Sequence, residues 1–286
     1  MKIKFKDVNF RPDSLARIKL CNAVVADYEG QGLRLTLRQL YYQLVVRNVV
    51  PNTERSYKNL STLVSDARLA GLMDWRAIED RVRQPRLPPE FDSLADLIEA
   101  ATNSYRLPRW EGQEYYVELW VEKDALAGVL APIAREFHVT MMVNRGYSSQ
   151  SAMYDSAGRF RMHDEQQPVL LYLGDHDPSG EDMVRDIRDR LVMFHVDQIE
   201  VRKIALTMKQ VEEYNPPPNP AKMTDPRSSG YVAKHGNSSW EVDALPPEVL
   251  ARIIKKHIRG VLDQDLMNAV IEREDKDKER LRKLVK

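Results

Sequence analysis

Apolar positions follow a helical spacing in the first part of the chain and form short continuous runs in the middle. Helical spacing predicts helices over residues 14–28, 37–48 and 54–70, and Thr36 is the expected N-cap of the second. From Glu114 onward, apolar runs of strand length alternate with amphipathic segments. The predicted strands cover residues 115–121, 139–143, 168–173 and 199–205, and the predicted helices cover 124–136, 150–160 and 179–193. This alternation predicts a mostly parallel sheet with helices on both faces.

Proline and charge patterns divide the chain further. A proline-rich stretch at residues 84–89 indicates a boundary, and a short helix is expected near residues 93–103. Residues 246–268 have a helical pattern, and the charged tail 272–286 is expected to form a solvated helix. We therefore expect an N-terminal domain at 1–85, a linker at 86–112, and an α/β domain with a helical C-terminal extension at 113–286.

Composition excludes several classes of protein. The 286 residues are 43% apolar and 30% charged, which is typical of a globular protein with a sizeable core. No apolar run approaches the length of a membrane helix, so no membrane partner is expected. Cys21 is the only cysteine, which rules out an intrachain disulfide and a cysteine-rich zinc site. The N-terminus has no secretory pattern, so we expect a cytoplasmic, nucleoid-associated protein.

The charge distribution favours contact with nucleic acid at the N-terminal end. The formal net charge is zero, yet residues 1–85 contain fifteen Lys or Arg and nine Asp or Glu. Two helices, a turn and a third, polar helix follow the order of a helix-turn-helix module, whose last helix contacts DNA. The candidate DNA-binding residues of that helix are Arg55, Lys58, Asn59, Thr62 and Arg68. The alternative is a small helical bundle with a solvated polar face.

Acidic residues follow two of the predicted strands directly. Glu122 ends the first, and Asp175 and Asp177 end the third. Because the carboxyl ends of parallel strands form the ligand crevice of an open α/β sheet, these three side chains are expected to meet. Carboxylates that share a crevice repel one another unless a cation lies between them, and oxygen ligands suit Mg²⁺. We therefore expect a Mg²⁺ site, with Mn²⁺ as a substitute ion, beside a bound phosphate.

A tyrosine in the second predicted helix is a candidate nucleophile. Tyr41 falls on the apolar side, whereas Tyr42 lies one turn from Arg38 on an adjacent face. A guanidinium beside a phenol favours the phenolate and also binds phosphate, so Tyr42 is expected to be accessible and activated. On spacing alone, packing is the commoner role of a helical tyrosine.

These residues together resemble a known family. Val121-Glu122-Lys123-Asp124-Ala125 and Asp175-His176-Asp177-Pro178-Ser179-Gly180 resemble the V-E-K-D-A and D-x-D-P-x-G motifs of a TOPRIM domain. The segment TLRQLYY at Thr36–Tyr42 resembles the T-x-R-[DE]-[IL]-[FY]-Y motif of the topoisomerase VI A subunit and the meiotic double-strand-break transesterase, with Gln39 in place of the acid. WEVDAL at Trp240–Leu245 is a looser match to the family's E-x-Q-A-L. The G-x-P-D motif is not kept, since Ser148-Ser149 replace its last two residues.

The resemblance implies a winged-helix domain followed by a TOPRIM domain. It implies that Tyr42 is the nucleophile and Arg38 its companion. Glu122, Asp175 and Asp177 would then be the metal ligands, with Glu122 alternatively a general acid or base, and Lys123 is a candidate phosphate contact. It also implies a homodimer on double-stranded DNA, with each tyrosine near the partner's metal site, and a separate ATPase subunit.

The expected function is metal-dependent DNA cleavage by tyrosine transesterification. Two alternatives stay open. One is a TOPRIM nuclease that hydrolyses phosphodiesters with metal-activated water and uses Tyr42 only for packing. The other is a DNA-binding component of a defence or mobile-element complex that has no catalytic activity.

Overall fold

The structure is a computed structural model that describes residues 2–30, 33–79, 88–221 and 224–283. Within these residues the helices are α1 (Pro12–Gly30), α2 (Leu37–Val46), α3 (Glu54–Leu69), α4 (Leu94–Ser104), α5 (Ala127–Glu136), α6 (Gln150–Arg161), α7 (Pro178–Met193), α8 (Met208–Tyr214), α9 (Ser228–His235), α10 (Pro247–Arg259) and α11 (Gln264–Arg282). The strands are β1 (Tyr115–Val121), β2 (Thr140–Val143), β3 (Gln167–Leu173), β4 (Glu200–Ala205), β5 (Asn219–Pro220) and β6 (Ser238–Ser239). Single 3-10 turns cover Asp124–Leu126 and Val242–Ala244.

A four-stranded parallel sheet forms the centre of the fold, so the predicted α/β class is confirmed. Its strand order is β2-β1-β3-β4, and every pair in it is parallel. Each of these four strands begins and ends within one residue of its predicted bounds. This agreement follows from the near-continuous apolar runs that a strand buried on both faces requires.

Helices cover both faces of the sheet, as predicted. On one face, Leu119 of β1 and Leu171 of β3 belong to a buried cluster with residues of α5 and α10. On the opposite face, Trp120 and Tyr172 pack with residues of α6 and α7. Neighbouring residues of one strand therefore pack into different cores, because successive side chains of a strand point to opposite faces of the sheet.

The first three helices form a core of their own. Thr36 caps α2 as predicted, because its hydroxyl accepts from the Gln39 backbone N–H while the Gln39 side chain accepts from the Thr36 backbone N–H. Residues such as Leu40, Leu44 and Leu60 are buried between these helices. Ala244, which follows the sheet in sequence, is also part of this core. The helical module is therefore packed against the segment around Ala244.

The predicted domain boundary between residues 85 and 86 lies outside the described residues. The following segment, expected to be a linker, contains the predicted helix α4, which packs against α11. The tail was expected to be solvated, but this is wrong at Glu274, which is fully buried. Its carboxylate accepts from the backbone N–H of Leu107 at 3.0 Å and from Arg109 at 2.9 Å. This buried ion pair fastens the segment before β1 to α11.

Within the described residues, none of the helices has both the length and the apolar character needed to cross a membrane.

Candidate functional site

The acids that follow β1 and β3 lie together at the carboxyl edge of the sheet. The two strands are neighbours, and the backbone N–H of Glu122 donates to the carbonyl of Leu173 at 2.8 Å. The backbone N–H of Asp175 donates to the Glu122 carboxylate at 3.0 Å. The predicted meeting of acids from two strand ends therefore holds for Glu122 and Asp175.

Asp177 has a structural role that the sequence analysis did not foresee. It is the N-cap of α7, and its carboxylate accepts from the backbone N–H of Gly180 at 2.6 Å and from the Ser179 hydroxyl at 3.1 Å. Pro178 occupies the first helical turn, where its missing N–H costs nothing. The D-P-S-G segment is therefore a helix start as well as a candidate metal motif.

Gly180 is required at this helix start because the backbone approaches it closely. A Cβ at this position would lie 2.2 Å from the carbonyl oxygen of Asp175. No larger residue fits that approach. The ammonium of Lys203 donates to the same carbonyl at 2.7 Å and to Glu181 at 2.6 Å. Lys203 thus links the loop that bears Asp175 to the start of α7.

Lys123 lies in a cage of three carboxylates. Its ammonium is 3.0 Å from Asp175, 2.8 Å from Glu241 and 3.3 Å from Asp243. The carboxyl of Asp243 is fully buried and also accepts from Arg38 at 2.9 Å. Lys123 was expected to contact phosphate, whereas here it neutralises acids. Its positive charge compensates one of the three predicted metal ligands, Asp175, together with two acids that had not been assigned to the site.

Tyr42 contacts this cluster from the helical module. Its hydroxyl donates to Glu241 at 2.6 Å and lies 3.4 Å from a guanidinium nitrogen of Arg38. Arg38 also donates to the same carboxylate of Glu241. The expected pairing of Arg38 with Tyr42 is confirmed, and both residues meet acids that lie about two hundred positions later in the chain.

The environment of Tyr42 differs from the expected one. Its side chain is only 4% exposed, so the prediction of an accessible phenol is wrong for this conformation. Burial raises its pKa above the usual value, and the negative charges of Asp243 and Glu241 raise it further, against the smaller opposing effect of Arg38. The expected phenolate is therefore not favoured here, and Tyr42 is a neutral hydrogen-bond donor.

Two carboxyl groups of the cluster are shifted in opposite directions. Burial raises the pKa of Asp175 to about 7, and the nearby charge of Glu122 adds to this while Lys123 opposes it. Burial acts in the same direction on Glu241, but Lys123 and Arg38 outweigh it and lower the pKa of Glu241 to about 2. The negative charge of Asp175 is thus poorly compensated by its surroundings, whereas Glu241 is ionised at neutral pH.

The donor set fits a hard divalent cation in its chemistry. The Glu122 carboxylate accepts from the Asp175 backbone N–H, and its charge helps to raise the pKa of the Asp175 carboxyl, so a cation beside these two acids would stabilise the ionised form of Asp175. In the part of the chain that the structure describes, however, no three His, Cys, Asp or Glu side chains are already arranged to hold a metal ion. Of the predicted ligands, Asp175 is paired with Lys123, and Asp177 caps α7 through one of its carboxylate oxygens.

One cavity of about 390 Å³ joins the nucleophile candidate to the acids. Its lining includes Arg38, Tyr42, Asp175, Asp177 and Glu241. A second cavity of about 560 Å³ lies along α3, and Arg38 and Tyr57 line both. The two cavities thus meet at these two side chains.

The candidate DNA-binding residues of α3 occupy two different faces. Arg55, Lys58, Asn59 and Thr62 are exposed, and Lys58 forms an ion pair with Glu54 at 2.7 Å. Arg68 departs from the prediction, because it is partly buried and donates to the backbone carbonyl of Ile78 at 2.7 Å. Since this contact holds its guanidinium against the protein, Arg68 is not part of the exposed polar face.

Sequence reasoning missed Glu241, Asp243 and Lys203 as site residues. The match of WEVDAL to a family motif was the available signal for the first two, but no partner could be assigned to them. No known protein-family model matches the chain, and no curated protein matches it either. The proposal below therefore depends on the geometry of the site and on the motif resemblance.

Proposed function

We propose that the protein cleaves double-stranded DNA by metal-dependent tyrosine transesterification. In this proposal α1–α3 form a winged-helix-like module and the sheet is a TOPRIM-like domain. The observation that carries the proposal is the shared cavity, which Tyr42, Asp175 and Asp177 all line. A tyrosine and metal-binding acids beside one cavity are the two parts that transesterification of a phosphodiester requires.

The residues of this chain would have distinct roles in the reaction. Arg38 binds the phosphate through its guanidinium, and Tyr42 attacks the phosphorus and forms a phosphotyrosine bond that conserves the energy of the broken phosphodiester. Glu122, Asp175 and Asp177 would hold Mg²⁺, or Mn²⁺ in its place. When bound, that ion supplies positive charge for the phosphoryl oxygens and the departing sugar oxygen.

The two cavities support a path for the DNA. Arg38 and Tyr57 lie where the cavities meet, so a guanidinium and an aromatic ring stand beside the same passage. Such a pair suits a phosphate and an adjoining base. The exposed residues Arg55, Lys58 and Asn59 would contact the flanking duplex on the outer face of α3.

A homodimer is part of the proposal, because cutting both strands needs two centres. The family resemblance implies that each tyrosine acts beside the partner's metal site. In this chain, Tyr42 is hydrogen-bonded to Glu241 of its own chain. We therefore propose that each copy carries a whole centre, in a cytoplasmic, nucleoid-associated assembly that takes ATPase activity from a separate subunit.

A second candidate function, hydrolysis by metal-activated water, is favoured by one observation. The raised pKa of Tyr42 makes its hydroxyl a weak nucleophile in this conformation. In that case Tyr42 only packs between the domains, and the acids alone carry the reaction.

Plasmid cleavage in Mg²⁺ or Mn²⁺, quenched with detergent, separates these functions. Transesterification predicts protein covalently attached to DNA ends, lost in Tyr42→Phe and in Asp175→Ala. Hydrolysis predicts free ends that persist in Tyr42→Phe and disappear in Asp175→Ala. DNA binding without cleavage in any condition would contradict both and would leave a DNA-binding component without catalytic activity. Tyr41→Phe is the matched control, because the Tyr41 hydroxyl instead contacts the backbone around Pro51 and Thr53.

A further inference from the structure

Glu241 is held in a fixed position beside the loop that bears the predicted acids. The backbone N–H of His176 donates to the Trp240 carbonyl at 2.8 Å, and the Trp240 N–H donates back to His176 at 3.0 Å. Two residues after Trp240, the backbone N–H of Val242 donates to the Asp175 carboxylate at 2.9 Å. Backbone hydrogen bonds of the residues before and after Glu241 therefore fix the position of its Cα atom, from which the side chain extends.

The carboxylate of Glu241 meets the reacting atom of the proposed nucleophile. One of its oxygens accepts from the Tyr42 hydroxyl at 2.6 Å and lies 2.8 Å from the Lys123 ammonium. Arg38 donates to the same oxygen. Geometry is the first requirement for a general base, and a distance of 2.6 Å meets it without any movement of the chain.

We propose that Glu241 is the general base that accepts the phenolic proton of Tyr42. This inference rests on the proposed transesterification. As the bond between Tyr42 Oη and phosphorus forms, the bond from phosphorus to the departing sugar oxygen breaks. The phenolic proton passes to Glu241, and the sugar oxygen takes a proton from water. Glu241 afterwards returns its proton to solvent, so atoms and charge balance.

The surrounding charges set the protonation states from which the proton transfer starts. At neutral pH Glu241 is ionised, because Lys123 and Arg38 lower its pKa to about 2 against the effect of burial. Tyr42 is protonated, because its pKa is raised by burial and by Asp243 and Glu241. Acceptor and donor are thus in the required states before the substrate arrives.

Phosphate binding would make Glu241 more basic at the moment of reaction. Arg38 is the one residue that contacts both Tyr42 and Glu241 among the contacts of the described residues, and its guanidinium suits a phosphate. When Arg38 turns to the phosphate, one of the two cations that hold Glu241 ionised is withdrawn. The same movement leaves the hydrogen bond from Tyr42 in place.

Asp243 is not the acceptor in this arrangement. Its carboxyl is fully buried and is engaged by Arg38 Nε and by Lys123. It holds the two cations that contact Glu241, so it is a positioning residue.

The test measures the rate of covalent protein–DNA adduct formation in Glu241→Gln. Glutamine keeps a hydrogen-bond acceptor for Tyr42 but takes no proton, so we expect a loss of about 100-fold or more with DNA binding unchanged. Glu136→Gln is the matched control, because Glu136 pairs with Lys255 at 2.7 Å and does not contact Tyr42. We expect that control to form adduct within about threefold of the unaltered protein.

A fluorinated tyrosine at position 42 separates catalysis from positioning. Its phenol is more acidic and depends less on a base, so it should restore adduct formation in Glu241→Gln by about tenfold or more. The same replacement in the unaltered protein should change the rate by less than about threefold. If Glu241→Gln does not fold, Glu241→Asp, which retracts the carboxylate, should show the same restoration.

Each other outcome overturns the inference. Adduct formation by Glu241→Gln at the rate of the control would show that no proton passes to Glu241. A loss that the fluorinated tyrosine does not restore would show that Glu241 only positions Tyr42 or Arg38. Failure of the unaltered protein to form any adduct would overturn the proposed function itself, and this is seen before the variants are compared.

Discussion

The hydroxyl of Tyr42 lies 2.6 Å from the carboxylate of Glu241, although 199 positions separate the two residues in the chain. This hydrogen bond joins the helical module to the segment that follows the sheet. Arg38 and Lys123 each form an ion pair with the same carboxylate of Glu241. The candidate centre is therefore built at the junction of two modules, and its integrity depends on how they pack.

Removing Arg38 should destabilise this junction. Arg38→Ala leaves the fully buried Asp243 with Lys123 as its remaining ion-pair partner in the described structure. Loss of one partner of a buried ion pair typically costs about 3 kcal/mol of the free energy of unfolding. Arg55→Ala, on the exposed face of α3, should change it by no more than about 0.5 kcal/mol. Chemical denaturation measures both, and equal values for the two variants would refute the buried pairing.

Substitutions of Asp177 separate its capping role from its proposed metal-binding role. Asp177→Ala should lower the free energy of unfolding by about 1 kcal/mol, because α7 loses its N-cap. Asp177→Ser keeps a capping oxygen, so its stability should be close to that of the unaltered protein, but it lacks the carboxylate. We expect both variants to lose DNA cleavage. Cleavage by Asp177→Ser at an unaltered rate would show that Asp177 serves only as a cap.

The pKa of Asp175 predicts how stability depends on pH in the absence of metal. Its folded-state pKa, raised to about 7 by burial, exceeds the usual aspartate value of 3.8, so the folded protein binds the extra proton between these values. The resulting stabilisation is present at low pH and is lost as pH rises towards 7. By linkage this amounts to at most about 4 kcal/mol.

The control for this pH dependence is Asp175→Asn, which removes the titrating group. Denaturation midpoints from pH 4 to pH 7, measured with a chelator, should fall less steeply in Asp175→Asn than in the unaltered protein. Added Mg²⁺ should restore stability at pH 7 only in the unaltered protein, because a cation favours the ionised carboxylate. Parallel curves for the two proteins would contradict the assigned pKa.

Mixing two inactive variants tests whether each chain carries a whole centre. Tyr42→Phe and Asp175→Ala each lack one part of it. If Tyr42 works with the acids of its own chain, mixing the two variants should produce no more covalent adduct than either variant produces alone. Adduct formation in the mixture would instead place Tyr42 beside the acids of the partner subunit.

The elements of the sheet could be predicted because their residues carry a local pattern. β1 and β3 are buried on both faces, so their apolar runs are unbroken and their ends are marked by Glu122 and by Gly174–Asp175. Thr36 was predictable in the same way, since a capping residue acts on the three residues after it.

The electrostatic state of the site could not be predicted in this way. Arg38 lies one turn from Tyr42, which suggested an activated phenol, but the acids that reverse this effect come from Glu241 and Asp243. No local periodicity marks a contact between segments so far apart. Glu274 illustrates the same limit, because its neighbours are charged and its partners Leu107 and Arg109 lie 167 and 165 positions earlier in the chain.

The most direct test of the central claim is to identify the residue that becomes attached to DNA. The protein is incubated with plasmid and Mg²⁺ or Mn²⁺, quenched with detergent, digested with nuclease and protease, and analysed by mass spectrometry. The account predicts a nucleotide bound to the hydroxyl of Tyr42 and to no other tyrosine. Cleaved DNA with Tyr42 unmodified, or a nucleotide on a different tyrosine, would contradict it.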